Sequence, residues 1–325
     1  MALCWRPGIA LAVVTFFGIG VTVAAGAVPR APARMAAEAR SAKDGGPAAS
    51  RPTAAGAVSA VDDTGQTIAL ASLPRRIVSL APGATEMLFA AGLGDRLVAT
   101  VDFSDEPAAA KRVPRIGDVT GVDIERLVAL HPDLVIAWPG GGNPAQIEKI
   151  AQLSIPIYRQ QVNRLSDLPA SLRRLGALDA DPSVADRAAG GLEEELRRLA
   201  REYGGGKHPT VFLEVWNRPL YTVGGTQLMS DALHLCGARN VFGELRELGP
   251  IIETEAVIAR DPDIIVAVAP PGEAASWLAE WRRFPTLKAV EHGRLIRFED
   301  QRFVRLGPSV IRATEALCKA LAAGG

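Results

Sequence analysis

One run of residues occurs twice in this chain. Glu125-Arg-Leu-Val-Ala129-Leu-His-Pro132-Asp133-Leu-Val-Ile leads into Ala137-Trp138, and Glu255-Ala-Val-Ile-Ala259-Arg-Asp-Pro262-Asp263-Ile-Ile-Val leads into Ala267-Val268. Glu, Ala, Pro and Asp recur at identical spacing. Each copy reads as a short helix stopped by proline, then a β-branched run apolar enough for a strand covered on both faces. A second pair agrees with the first. Leu88-Phe-Ala-Ala91-Gly92 precedes Arg96-Leu97-Val98, and Leu233-His-Leu-Cys236-Gly237 precedes Asn240-Val241-Phe242, each a glycine-capped helix end followed by a strand. Upstream lie the strands Arg76–Leu80 and Thr210–Glu214. Alternating strand and helix implies a parallel sheet with helices on both faces. The fold expected is therefore α/β, with two similar lobes around parallel central sheets.

Between the two copies lies Ser183–Tyr203. Its apolar residues Val184, Ala188, Leu192, Leu196, Leu199 and Tyr203 make one stripe on a helix, with charged residues on the other faces. Pro182 and Gly204 bound it, and the Gly190-Gly191 pair costs roughly 1 kcal/mol per residue relative to alanine, so packing must hold it. Boundaries follow: an N-terminal lobe over 58–182, a bridging helix over 183–204 and a C-terminal lobe over 205–325, with a ligand cleft between the lobes. At 325 residues and 48% apolar content the chain can fill two ordinary cores.

Residues 7–29 carry no charge, follow Arg6 and include Ala25-Gly26-Ala27, the pattern of a secretory signal over 1–27. An uncleaved anchor is the alternative, since the run is long enough to span a bilayer. Residues 28–57, rich in Ala and Pro and without apolar periodicity, read as a disordered linker. Val58–Leu70 alternates around the turn Asp62-Asp63-Thr64-Gly65, as a β-hairpin does. Past the signal two cysteines remain, Cys236 and Cys318; in an exported chain they read as a disulfide or as two buried thiols rather than a metal site. The 36 basic and 36 acidic residues balance, which offers no field for nucleic acid or an anionic membrane.

Catalytic groups do not assemble. Ser79 and Ser309 lack a histidine in any nucleophile elbow, and His131, His208, His234 and His292 show no metal-binding spacing. Gly140-Gly141-Gly142 lacks the lysine and hydroxyl of a phosphate loop. No enzyme, cofactor or bound metal is expected. Glu125 and Glu255 stand in the first turns of the repeated helices, with Asp123 and Thr254 as caps. Their matching positions place one negative point on each lobe, suited to a partner with two basic pockets.

Arg76-Ile-Val-Ser-Leu-Ala-Pro-Gly-Ala-Thr-Glu86, Phe103-Ser-Asp-Glu-Pro107, the run from Glu125 to Trp138 and the Cys236 region resemble the periplasmic binding proteins for metal chelates. Those proteins deliver cobalamin, siderophores or haem to ABC importers. The likeness spans Val58 to Leu321 and is greatest to the cobalamin-carrying members. It implies an extracytoplasmic, periplasmic monomer with two lobes and a rigid bridging helix. It implies cobalamin or a related corrinoid as transported ligand, a Cys236–Cys318 disulfide, and docking of Glu125 and Glu255 onto arginines of the permease dimer. Trp138 matches a cleft aromatic, Phe103 stands where a Tyr is found, and Arg305 matches a polar cleft residue. Val119, Gly249 and Arg302 depart from the pattern, which has aromatics at those positions. Trp216 and Tyr221 are further candidates for aromatic surface. The alternatives are a ferric siderophore carrier, favoured by Arg302 with Arg305, and a haem carrier with Tyr221 as the axial ligand. From another class, a periplasmic enzyme or metallochaperone would use the same cleft.

Overall fold

The computed structural model describes residues 58–323 apart from 141, 142, 206 and 207, so the expected signal segment and linker lie outside the described residues. The chain enters through a hairpin, β1 (Val58–Val61) paired antiparallel with β2 (Thr67–Leu70). Asp62 makes the turn: its Oδ1 accepts from Thr64 N at 2.9 Å and Gln66 N at 2.9 Å. β3 (Ile77–Ser79), β4 (Leu97–Ala99), β5 (Leu134–Ala137) and β6 (Ile157–Arg159) then form one sheet in the order β4-β3-β5-β6. A second sheet holds β7 (Thr210–Glu214), β8 (Arg239–Asn240), β9 (Ile264–Val268) and β10 (Leu295–Phe298) in the order β8-β7-β9-β10. All pairings in both sheets are parallel. The two halves therefore share one topology, in which the first strand of each sheet lies between the second and the third.

The repeat extends to the backbone. The helices Ile124–Ala129 and Thr254–Arg260 each run into a left-handed residue, His131 at φ 45° and Asp261 at φ 43°. A left-handed residue ends a helix by satisfying its last carbonyls. His131 is thus a helix terminator. Asp123 caps its helix as expected, its Oδ1 accepting from Arg126 N at 2.9 Å. Thr254 does not: it is the first helical residue, Glu253 occupies the capping position, and no side chain caps the helix.

The bridging helix is Ser183–Tyr203. Its buried stripe is displaced from the expected one at its start: Ala185 and Ala189 face inward, whereas Val184 is 39% exposed. The reason is the close approach of the preceding helix, Asp167–Gly176. A Cβ on Gly176 would fall 2.5 Å from the Ala185 Cβ, so nothing larger than alanine fits there.

The structure also corrects the expectation of two separate cores. One apolar cluster joins Ile77, Leu134 and Ile136 of the first sheet to Val211, Leu213, Ile264 and Val266 of the second, through Ala185, Ala189 and Leu199 of the bridging helix. Alternate residues turn to the opposite faces, as strand geometry requires. Val78 and Val135 there meet Leu127 and Ile150, while Phe212 and Ile265 meet Trp277 and Trp281. The lobes are sewn together by polar contacts as well. Glu86, on the helix Pro82–Ala90, accepts from Ser309 N at 2.9 Å and Ser309 Oγ at 2.8 Å, where the last helix, Ser309–Ala323, begins. A Cβ on Gly83 would lie 2.6 Å from the Leu306 backbone. Cys236 and Cys318 are joined by a disulfide that ties that last helix to the helix Leu228–Leu235.

Candidate ligand cleft

Both sheets present their C-terminal strand ends to the region between the lobes, where open parallel sheets hold ligands. From the first sheet come Phe103, after β4, and Trp138, directly after β5. From the second come Trp216 and Tyr221, after β7, and Arg302 and Arg305, after β10.

Phe103 has φ 63° and is 57% exposed, a strained backbone carrying an aromatic ring into solvent. Such strain persists only where the surroundings hold it. Here a buried chain of hydroxyls does so: Thr85 Oγ1 and Thr100 Oγ1 lie 2.6 Å apart, and Thr100 Oγ1 donates to Ser104 Oγ at 2.9 Å. Arg115 Nη2 closes the loop from outside through Ser104 O at 2.7 Å. Ser79 belongs to the same network, accepting from Thr85 Oγ1 at 2.9 Å, which is why it is buried without a catalytic partner.

Trp138 is half-buried and shares a recess with Leu80, Val119 and Ile147. The loop bearing Val119 is stiffened by Asp118, whose Oδ1 accepts from Thr120 Oγ1 at 2.6 Å and Gly121 N at 2.9 Å. The Thr120 hydroxyl bond is the main cause of that carboxyl's lowered pKa. Opposite stands Leu248: a Cβ on Gly140 would fall 2.8 Å from Trp138 Nε1 and 2.9 Å from Leu248 Cδ1. The two lobes thus approach each other at Trp138. Leu248 and Gly249 belong to a segment fixed to the Trp216–Tyr221 loop by the bridges Trp216 to Tyr221 and Tyr221 to Ile251. Trp216 is half-buried against Trp277, with ring centroids 6.2 Å apart, and Tyr221 is 6% exposed.

The two arginines are each compensated from within. Asp300 accepts from Arg302 Nε at 2.8 Å and from Arg302 Nη2 at 2.5 Å, and that pairing is the main cause of the carboxyl's lowered pKa. Arg305 Nη1 lies 3.7 Å from Glu86 Oε1. Burial raises the Glu86 carboxyl despite its bonds to Ser309 and the charge of Arg305. Glu106, three residues after Phe103 on the same loop, acts electrostatically on both Glu86 and Arg302. The loop that follows Phe103 thus lies within electrostatic reach of Arg302. Among the described residues no cluster of His, Cys, Asp and Glu is placed to hold a metal ion.

Glu125 and Glu255 are both exposed, each the second residue of its helix. Residues not singled out from the sequence are Glu86, Glu106, Leu248 and Asp300. Only Glu86 left a signal, as the one charge in the helix segment Pro-Gly-Ala-Thr-Glu-Met-Leu-Phe-Ala.

A family profile for periplasmic binding proteins matches residues 77–301. The chain is 36% identical to the vitamin B12-binding protein of Pectobacterium carotovorum subsp. carotovorum (strain PC1) over 255 residues, 78% of this chain and 90% of that one. Among solved structures it resembles the periplasmic vitamin B12 binding protein BtuF of Vibrio cholerae, with TM-score 0.71, 30% identity and coverage of 78% of this chain and 98% of that one. It also resembles a periplasmic heme binding protein from Pseudomonas aeruginosa, with TM-score 0.65, 25% identity and coverage of 76% and 92%.

Proposed function

Because this chain belongs to the periplasmic binding protein family, whose members bind substrates for transport, we propose that it captures cobalamin or a related corrinoid outside the cytoplasm and hands it to an ABC importer. The observation that carries this reading is the likeness, over nine-tenths of their length, to proteins named for vitamin B12. The cleft supports it. A corrinoid is a large, rigid, half-apolar disc fringed with amides. Its capture calls for aromatic faces and a few polar donors already in place, so that little ordering is needed on binding. Phe103 and Trp138 supply faces from one lobe and Arg305 supplies donors from the other, whereas Trp216 packs on Trp277 and Tyr221 is buried. An anionic ferric siderophore calls instead for uncompensated cations, and here Arg302 is held by Asp300 and Arg305 faces Glu86.

In this reading Glu125 and Glu255, one per lobe, dock on cationic groups of a permease dimer, and the chain acts as a monomer. The test is a calorimetric titration of the protein with cyanocobalamin beside a ferric siderophore and haem. Saturable one-to-one binding of cyanocobalamin alone is expected. Binding of the siderophore or haem without cyanocobalamin would replace the ligand and keep the transport role.

A further inference from the structure

A second recess opens at the C-terminal end of β7, on the face of the sheet turned away from the shared core. Its floor is Glu214, 2% exposed, whose Oε2 accepts from Trp281 Nε1 at 2.8 Å. Among the described residues no donor reaches the other oxygen, Oε1, and no cation pairs with this carboxylate. Glu280 stands on the wall, accepting from Asn217 Nδ2 at 3.2 Å and from Arg218 Nη2 at 2.6 Å. Phe284 lines the opening, and the Arg283 guanidinium, at the rim, is drawn over that ring at 6.0 Å from its centroid. Burial, with a smaller contribution from the charge of Glu280, pushes the Glu214 carboxyl up to about 7. A carboxylate removed from water with a single hydrogen bond lacks the donors that would offset its desolvation.

We propose that this recess binds a guanidinium group, which donates to Glu214 Oε1, faces Glu280 and lies against Phe284, and that the group is an arginine side chain of the importer. A guanidinium supplies a planar fork of donors to a carboxylate and stacks on an aromatic ring, which an ammonium does less well. The partner follows from position. Thr254 lines the same recess and immediately precedes Glu255, so the recess adjoins the carboxylate assigned to docking. This assignment rests on the docking role proposed above.

Two measurements test it. The Glu214 carboxyl is titrated by NMR in the full chain, with and without ethylguanidinium at a concentration that leaves the protein folded. The titration midpoint falls by about one pH unit or more when a cation lies within contact distance. The affinity for ethylguanidinium rises from pH 6 to pH 8 in the wild type, and the dependence vanishes in Glu214→Gln, which retains the acceptor for Trp281. An unchanged midpoint at saturating probe overturns the site. Glu280→Gln gives a smaller loss and serves if Glu214→Gln does not fold. Binding to the importer in nanodiscs then tests the partner. Glu214→Gln weakens it roughly tenfold, the loss of one charge-assisted bond, and more at pH 8 than at pH 6. If Glu255→Arg weakens docking and Glu214→Gln does not, the arginine assignment is overturned while the docking role stands. If Glu255→Arg leaves docking at the wild-type level, the docking role and the assigned partner fall together.

Discussion

Replacing Glu214 by glutamine should stabilise the protein, and only above acidic pH. The carboxyl titrates near its ordinary 4.5 in the unfolded chain and at about 7 in the fold. Between those values the folded state holds a proton that the unfolded state has released, so wild-type stability falls as pH rises. The slope is about 1.4 kcal/mol per pH unit for one such group, and the total about 3 kcal/mol by pH 8. Below pH 4.5 the side chain is neutral in both states and its full contribution is present. Glutamine cannot ionise and still accepts from the Trp281 indole, so the variant lacks this loss. Glu86, also raised by burial, acts in the same direction in both proteins and cancels in the difference. Urea unfolding of the two proteins at pH 4.5, 6 and 8 gives the quantity directly. The stability difference should grow with pH and level off above 7. A difference constant across that range would refute the assignment of a desolvated carboxyl in the fold.

Glu125→Arg with Glu255→Arg should abolish uptake while leaving cyanocobalamin affinity unchanged, because each exposed carboxylate gives its helix only about 0.3–1 kcal/mol; normal uptake would return both to helix-end stabilisation. Gly190→Ala and Gly191→Ala should each stabilise the bridging helix by about 0.5–1 kcal/mol, since nothing lies within 4 Å of a Cβ at either position; a lowered melting temperature would contradict the open space seen there. Removing the disulfide by Cys236→Ser with Cys318→Ser should cost about 4–5 kcal/mol in urea unfolding, on the chain-entropy estimate for cysteines 82 residues apart. Trp138→Ala should weaken cyanocobalamin binding about tenfold or more by calorimetry, as loss of a central aromatic contact does; an unchanged affinity would remove Trp138 from the ligand surface.

The sequence was most legible where structure is set by neighbours. β5 and β9 fall where their apolar runs stand, β7 covers Thr210–Glu214, and Gly92 and Gly237 take positive φ at their helix ends. Spacing alone recorded these features, because a buried strand needs apolar residues on both faces and a stopped helix needs a terminator. It misplaced what contact decides. Ala185 replaces Val184 on the inner side because Gly176 leaves room for a methyl group only, and Thr254 gives up the cap because its helix begins one residue earlier. The link from Glu86 to Ser309 joins residues 223 positions apart, which no local pattern announces. Of the cleft, resemblance nominated Phe103, Trp138 and Arg305, while Trp216 and Tyr221 were candidates from their place after a strand and Arg302 was a departure from the family pattern. The pairing of Arg302 with Asp300, which decides how much positive charge the cleft offers, was not legible.

The apolar cluster shared by the two lobes bears on the kinetics of capture. A binding protein whose lobes swing apart spends part of its time splayed, with the cleft walls too far apart to take ligand, and its observed association rate then saturates at the rate at which the lobes come back together. Here separating the lobes would expose the Leu199 face of the bridging helix and break the bonds of Glu86 to Ser309. No such arrangement is within easy reach. The observed rate should therefore climb in proportion to ligand concentration, and selectivity among ligands should lie in how long each one stays.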